Sequence, residues 1–308
     1  MTHPHTKNIV SNEQIDSVLI HIYCLRPIIY TRQYVVYLHV PPHGPLSWWI
    51  ESKRLFLLRA SLAFDGRCIT LYQEVHSLET KEKRATHKQF LSILKTMIGE
   101  TVKLIIVTDA GFIVPWFRQV LDLGWDFVGR TRQPNRFSLD NGKRWVNIYT
   151  LFGKATAKPK AYYGQITKNN PLICRLILYK QRPKGRHNDN RDGLPKKSGA
   201  SKAHSKSGKE PWLLSTSLAM SSKLAKQAVA IYRTRMQIEE EFRYMKSRLY
   251  GLGFEHNKSK RLRRLGVLIL IATLACIIAL LMGLTVVNAG LHRRYQANTT
   301  TKKGILSF

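Results

Sequence analysis

Leu265 to Val287 reads LGVLILIATLACIIALLMGLTVV, an uncharged run long enough either to cross a bilayer or to form the central helix of a soluble core. Basic residues flank both ends, Arg261, Arg263 and Arg264 before it and His292, Arg293 and Arg294 after it, so charge sets no topological direction. The rest of the chain weighs against a membrane protein. It carries 50 Lys+Arg against 19 Asp+Glu, a net charge of +31 over 308 residues, and 44% of its residues are hydrophobic. That is enough apolar material for a folded core and too much for a disordered chain. The run is therefore expected to be the buried helix of a soluble core, with membrane anchoring as the competing reading. A surface this positive needs a polyanion or an acidic membrane to neutralise it, which points first to nucleic acid and not to a small-molecule substrate.

Cys24, Cys68, Cys174 and Cys276 are scattered, without the paired spacing of a structural zinc site or a disulfide framework. The opening MTHPHTKNIVSNEQI lacks the basic start, apolar middle and small-residue cleavage site of a secretory signal, so a reducing, cytoplasmic location is expected.

Upstream of the apolar run the pattern alternates. YVVYLHV (34–40) is β-branched and aromatic and precedes a Pro-Pro-His-Gly loop at 41–44. LFLLRASLAF (55–64) and CITLYQEV (68–75) flank Asp65-Gly66-Arg67, the signal of a hairpin in which Asp65 makes the turn. Glu79 to Ile98 has Phe90, Leu91, Leu94 and Ile98 at helical spacing. KLIIV (103–107) is a short buried strand running into Thr108-Asp109-Ala110-Gly111, Ile113 to Leu123 reads as helix, and Trp125 to Gly129 as strand. Three antiparallel strands, a helix, a central strand ending in a carboxylate, then a helix and a strand is the order of an RNase H-like α/β core: a mixed sheet with flanking helices.

Residues 131–219 break that order. Trp145–Leu151, Ala161–Ile166, Cys174–Tyr179 and Trp212–Ser215 read as short strands with no helix between, so an all-β insertion separates Asp109 from the helices that follow. Within it the loop 180–209 is dense in cations, among them Lys180, Arg182, Lys184 and Arg186, a pattern that suits a solvated loop and equally a phosphate-binding arm. Ser221 caps a helix from Lys223 to about Leu249, which Gly251 and Gly253 stop. The expected division is a 1–33 N-terminal segment, a core in two parts (34–130 and 220–290), the 131–219 insertion and a 291–308 tail.

In the helix after Ser221, at about 100° per residue, Tyr232, Arg235, Glu239 and Lys246 fall within about 60° of one another. Glu240 lies about 80° from Tyr232 and Glu241 on the opposite side, so of three consecutive acids only Glu239 shares the stripe. A carboxylate with two cations and a phenol on one face suits a divalent cation beside a phosphate, though intrahelical ion pairing gives the same stripe.

The spacing Tyr-x2-Arg-x3-Glu-x6-Lys at Tyr232, Arg235, Glu239 and Lys246 resembles the signature of the DDE transposases of the insertion-sequence-four family. The blocks KRLFLLRASLAFDGRCITLYQE, VTDAGFIVPWF, LGWDFVGRTR, NPLICRLILYKQRPKGR, KEPWLL, RMQIEEEFRYMKS and YGLGFEH resemble its transposon-ten group over roughly residues 45–305. The resemblance implies cut-and-paste DNA transposition by phosphoryl transfer, double-stranded DNA (transposon ends and target) as partner, self-association on DNA, and two Mg2+ ions held by acids. It assigns Asp109 to the second Asp and Glu239 to the Glu, both catalytic and metal-binding, and Tyr232, Arg235 and Lys246 to DNA.

One position departs. Where the family has its first Asp, this chain reads Pro42-His43-Gly44, and no acid occurs between Asp16 and Glu51. His39 and His43 are nearby, but neutral imidazole is a poor Mg2+ ligand. The resemblance therefore implies a truncated or frameshifted copy that binds DNA without an intact site. Trp125, Trp145 and Trp212, candidates for stacking on a flipped base, read as core residues, as do Met236 and Phe242.

Overall fold

The computed structural model describes residues 29–30, 33–39, 55–64, 67–77, 79–80, 83–181, 210–247, 251–254, 259 and 261–296. Among the described residues eleven strands form one sheet: β1 (Ile29–Tyr30), β2 (Gln33–His39), β3 (Leu55–Phe64), β4 (Arg67–Ser77), β5 (Leu104–Thr108), β6 (Asp126–Thr131), β7 (Arg136–Ser138), β8 (Val146–Asn147), β9 (Lys160–Ile166), β10 (Leu172–Tyr179) and β11 (Trp212–Thr216). Their order is β4-β3-β2-β5-β6-β11-β10-β9-β7-β8, with β1 paired to β2. β5 lies parallel to both β2 and β6, and the other pairs are antiparallel. The fold is thus the expected mixed α/β sheet with flanking helices.

The two faces of β5 explain its uniformly apolar sequence. Leu104 and Ile106 enter one core and Ile105 and Val107 the other, so every residue of LIIVT is buried. On the first face α1 (Arg84–Ile98) and α2 (Val114–Asp122) pack through Phe90, Leu91, Leu94, Trp116 and Phe117. Phe117 stacks on Phe127 with ring centroids 4.3 Å apart and lies so close to β6 that a Cβ on Gly129 would sit 2.5 Å from its Cζ. On the second face lie α4 (Leu224–Thr234), α5 (Met236–Lys246) and α6 (Leu262–Asn288); a single-turn helix, α3 (Tyr149–Phe152), precedes β9.

Three expectations need correction. α1 begins at Arg84, not at Glu79, because Ser77 and Thr80 close a turn first, Thr80 N–H donating to the Ser77 carbonyl at 3.2 Å. Of Trp145–Leu151 only Val146–Asn147 is strand (β8): the Asn147 side chain accepts from the Tyr149 N–H at 3.0 Å and its carbonyl from the Thr150 hydroxyl at 2.7 Å, which turns the chain into α3. The strands of 131–219 continue the core sheet, since β11 pairs with β6 in register from Leu213–Thr131 to Thr216–Val128.

The third concerns the apolar run. It forms α6, 27 residues with a mean hydropathy of 3.0 in its most apolar window, but only 33% of that window is buried. Leu265, Ile269, Ala272, Thr273, Ala279, Leu280 and Gly283 face the protein, while Val267, Ile271, Leu274, Ile278, Leu281 and Met282 face outward. It is a core helix on one side only. Arg59, fully buried on β3, donates from Nη2 to Thr273 Oγ1 at 3.3 Å and Gln73 on β4 donates to the same oxygen at 3.0 Å, tying the inner face to the sheet.

Candidate functional site

Asp109 leaves the C-terminal end of β5, at the centre of the sheet, and its Oδ1 accepts the Gly111 N–H at 2.9 Å. The short Asp-Ala-Gly turn fixes the carboxylate at the strand end. Burial pushes the Asp109 pKa above the ordinary carboxylate range; the Arg235 guanidinium, the Gly111 N–H and Arg132 pull it down, and the Glu239 charge pushes it up. Glu239 is therefore an electrostatic neighbour of Asp109 across 130 residues of sequence, as the helical stripe and the strand-end position require.

The helix carrying the stripe is not continuous. α4 ends at Thr234 and α5 starts at Met236, with Arg235 at the junction. The Thr234 hydroxyl donates back to the Ile231 carbonyl at 2.6 Å, and Arg235 N–H reaches the Tyr232 carbonyl and Ile238 N–H the Arg235 carbonyl, both three residues apart. The tightened turn keeps Arg235 and Glu239 on one face: Arg235 Nη1 meets Glu239 Oε1 at 2.5 Å. Burial alone would depress the Arg235 pKa, but Tyr232, Glu239 and Asp109 together raise it, so one guanidinium serves both acids.

Tyr232 is buried and holds that guanidinium from below. Arg235 lies 5.6 Å from the Tyr232 ring centroid, Tyr232 packs edge-on to Trp212 at 5.0 Å, and Trp212 in turn to Tyr179 at 5.6 Å. Trp212 is thus a packing residue, and so is Trp125, buried with its indole N–H donating to the Val102 carbonyl at 3.2 Å. Phe242 is buried in the core, as expected, whereas Met236 is exposed on α5. Lys246 closes α5, about 10 Å beyond Glu239 along the axis. Of the basic-loop cations, Lys180 is exposed at the end of β10, where its N–H donates to the Thr156 carbonyl, and Arg182, Lys184 and Arg186 lie outside the described residues.

The other two glutamates go elsewhere, as the helical arithmetic requires. Glu240 makes an exposed pair with Arg243 at 3.0 Å. Glu241 turns into the back of the sheet, 3.3 Å from Arg59 Nη1, and accepts from Cys68 Sγ at 2.8 Å and Thr70 Oγ1 at 3.1 Å. Burial, reinforced by the Glu241 charge, raises the Cys68 pKa, so this thiol stays a donor.

The neighbourhood also contains residues that the sequence alone did not single out. β6 runs beside β5, carries Arg130 and ends at Thr131, with Arg132 next in the chain; Glu210 Oε2 lies 3.9 Å from Arg130 Nη2 and 3.7 Å from Arg132 Nε. Burial lowers the Arg130 pKa to about 10, with Arg132 and Arg235 adding to the effect against Tyr232 and Glu210. The Nε and Nη2 atoms of Arg130 are buried without a hydrogen-bond partner among the described residues. Two arginines at i and i+2 on the strand next to the carboxylate strand were the available signal, because such residues share a face. Three guanidiniums thus attend Asp109, Glu239 and Glu210, an arrangement that can receive a phosphate.

The parallel register that sets Tyr37 opposite Val107, continued by two residues, brings the backbone of His39 level with Asp109. Pro42, His43 and Gly44, the place of the missing first Asp, lie outside the described residues, as do Asp65 and most of the 1–33 segment and the 297–308 end of the tail. As donors, Asp109 and Glu239 suit a hard divalent cation, but Gly111 and Arg235 already claim one oxygen of each, and no group of three metal-capable side chains occurs among the described residues. The model of one protein family, described as a transposase DDE domain, matches residues 38–278. No curated protein matches the chain.

Proposed function

Because the chain belongs to the family of transposases with a DDE domain, enzymes that move DNA, we propose that it derives from a cut-and-paste transposase of the transposon-ten-like group within the insertion-sequence-four family, acting on double-stranded DNA in the cytoplasm. The family uses divalent metal ions; here the ion is Mg2+, with Asp109 and Glu239 as its holders. A bound ion would supply the Lewis acid that activates a water or a 3′-hydroxyl. The observation that carries the reading is the coupling of strand-end Asp109 and helical Glu239 through one guanidinium, Arg235.

This chain's own residues supply the phosphate grip. Arg130 has N–H groups that make no hydrogen bond to any described residue, Arg132 extends from the same strand end, and Arg235 is preorganised by the Tyr232 ring. A phosphate competes with Glu239 for Arg235, which frees a Glu239 oxygen for the cation. Lys180 and the basic residues that follow it, together with Lys246, carry the non-specific phosphate contacts. No acid stands where the resemblance puts the first Asp, so the site holds Mg2+ weakly, and the chain binds and self-associates on DNA while cleaving it poorly or not at all.

The test is a calorimetric Mg2+ titration of the purified chain beside Asp109→Asn and Glu239→Gln, with duplex binding measured on the same samples. Weak Mg2+ binding lost in both variants, with DNA binding kept, is expected, and Pro42→Asp should tighten the site and raise Mg2+-dependent strand cleavage. Mg2+ binding unchanged in both variants would remove the shared site, and efficient cleavage by the unaltered chain would refute the inactive reading.

A further inference from the structure

We infer that the outward face of α6 is a pairing surface for a second copy of this chain, formed without DNA. The exposed apolar residues Val267, Ile271, Leu274, Ile278 and Leu281 are spaced four, three, four and three apart. This is the heptad alternation of a seam that meets another helix. Each is 46–58% exposed, as is Met282 beside them, and no charge interrupts the run from Leu265 to Val287. A single exposed apolar side chain needs no explanation, but an unbroken stripe along a whole helix does.

The size of the stripe suits a symmetric pair. Six side chains about half exposed leave on the order of 550 Å² per copy, so two copies would cover roughly 1,100 Å², just above the area a specific interface needs. The stripe is uncharged and therefore complementary to itself, as an isologous contact demands.

A lipid surface fits less well. The inner face of the same helix is fastened to the sheet through Thr273, Arg59 and Gln73. Drawing α6 into hydrocarbon would strip the buried Arg59 guanidinium of one of its partners.

Charge gives the pairing a signature. Two chains of +31 repel each other at low salt, so raising salt from about 0.1 M to about 0.5 M screens the repulsion and should tighten an apolar dimer, whereas association bridged by DNA loosens over the same range.

Sedimentation of the full, nuclease-treated chain, read across concentration and salt, tests this. A monomer–dimer equilibrium that strengthens with salt is expected. Leu274→Lys or Ile278→Lys, each present twice in the pair, should raise the dissociation constant at least about tenfold. Ile173→Lys, an equally open apolar position on β10 at 73% exposure, should leave it unchanged. Circular dichroism melts check that the variants fold, which is expected because every altered side chain faces outward. A chain that stays monomeric up to about 100 μM, or a dimer indifferent to both substitutions on α6, would overturn the inference. So would flotation with phosphatidylcholine–phosphatidylglycerol vesicles that Ile278→Lys abolishes, which would assign the stripe to lipid.

Discussion

Glu239, Glu240 and Glu241 are chemically identical neighbours, and the structure assigns them three different energetic roles that Gln substitution separates. Glu241 faces Arg59, whose side chain is 0% exposed, and also accepts from Cys68 and Thr70. Glu241→Gln keeps the shape but leaves the buried guanidinium, among the described residues, with neutral partners alone: the new amide oxygen, Gln73, Thr273, Met245 and the Phe242 ring. Breaking a buried pair by removing one partner costs about 3–5 kcal/mol. For a chain of this length, at roughly 2 °C per kcal/mol, Tm should fall by about 6–10 °C. Glu240→Gln removes only an exposed pair with Arg243 and should change stability by less than about 0.5 kcal/mol. Glu239→Gln removes a half-open pair with Arg235 and a charge that disfavours ionised Asp109, effects of opposite sign, so its net change should stay within about 1 kcal/mol. Differential scanning calorimetry on the three variants reads the order directly. Adding Arg59→Met to Glu241→Gln should recover most of the loss, because a buried pair exchanged for apolar volume is near neutral. If Glu239→Gln proved the most destabilising of the three, or the double variant were worse than Glu241→Gln alone, the assignment of Glu241 to the structural pair would be wrong.

The Asp109 carboxyl, its pKa raised by burial, binds its proton more tightly folded than unfolded, so native stability falls as pH climbs from the ordinary carboxylate range through that raised value. Asp109→Asn should therefore stabilise the chain at neutral pH, with a gain that vanishes below the unfolded carboxylate pKa; a variant less stable at pH 7 than at pH 4, relative to wild type, would contradict this. Replacing Lys180, Arg182, Lys184 and Arg186 with Gln should flatten the dependence of log Kobs on log salt for non-specific duplex by up to about 3.6, at about 0.9 for each phosphate no longer neutralised, and an unchanged slope would take the loop out of the interface. Gly129→Ala places a methyl carbon 2.5 Å from Phe117 Cζ and should cost about 1–3 kcal/mol in denaturant unfolding, recovered in part by Phe117→Leu. Equal cost in both backgrounds would mean that the clash is elsewhere.

What the sequence made legible follows how each signal is encoded. Period-two and period-3.6 patterns depend on nearest neighbours along the chain, so the strands of the core, α1, α2 and the Tyr232–Arg235–Glu239 stripe could be read directly. The joining of β11 to β6 is set by backbone pairing between segments some 80 residues apart, and no local period records it. Arg59 was hidden for a related reason: LFLLRASLAF reads as a mainly apolar strand, and the packing of α5 and α6 on that face shows that the guanidinium at its centre is buried. The broken helix at Arg235 left no Gly or Pro as a marker, because the Thr234 hydroxyl tightens the turn from within. Arg235 ends one helix and caps the next, so its guanidinium is held by Tyr232 on α4 while it reaches Glu239 on α5 and the strand-end Asp109. Any change in the angle between the two helices must therefore move that guanidinium relative to both carboxylates.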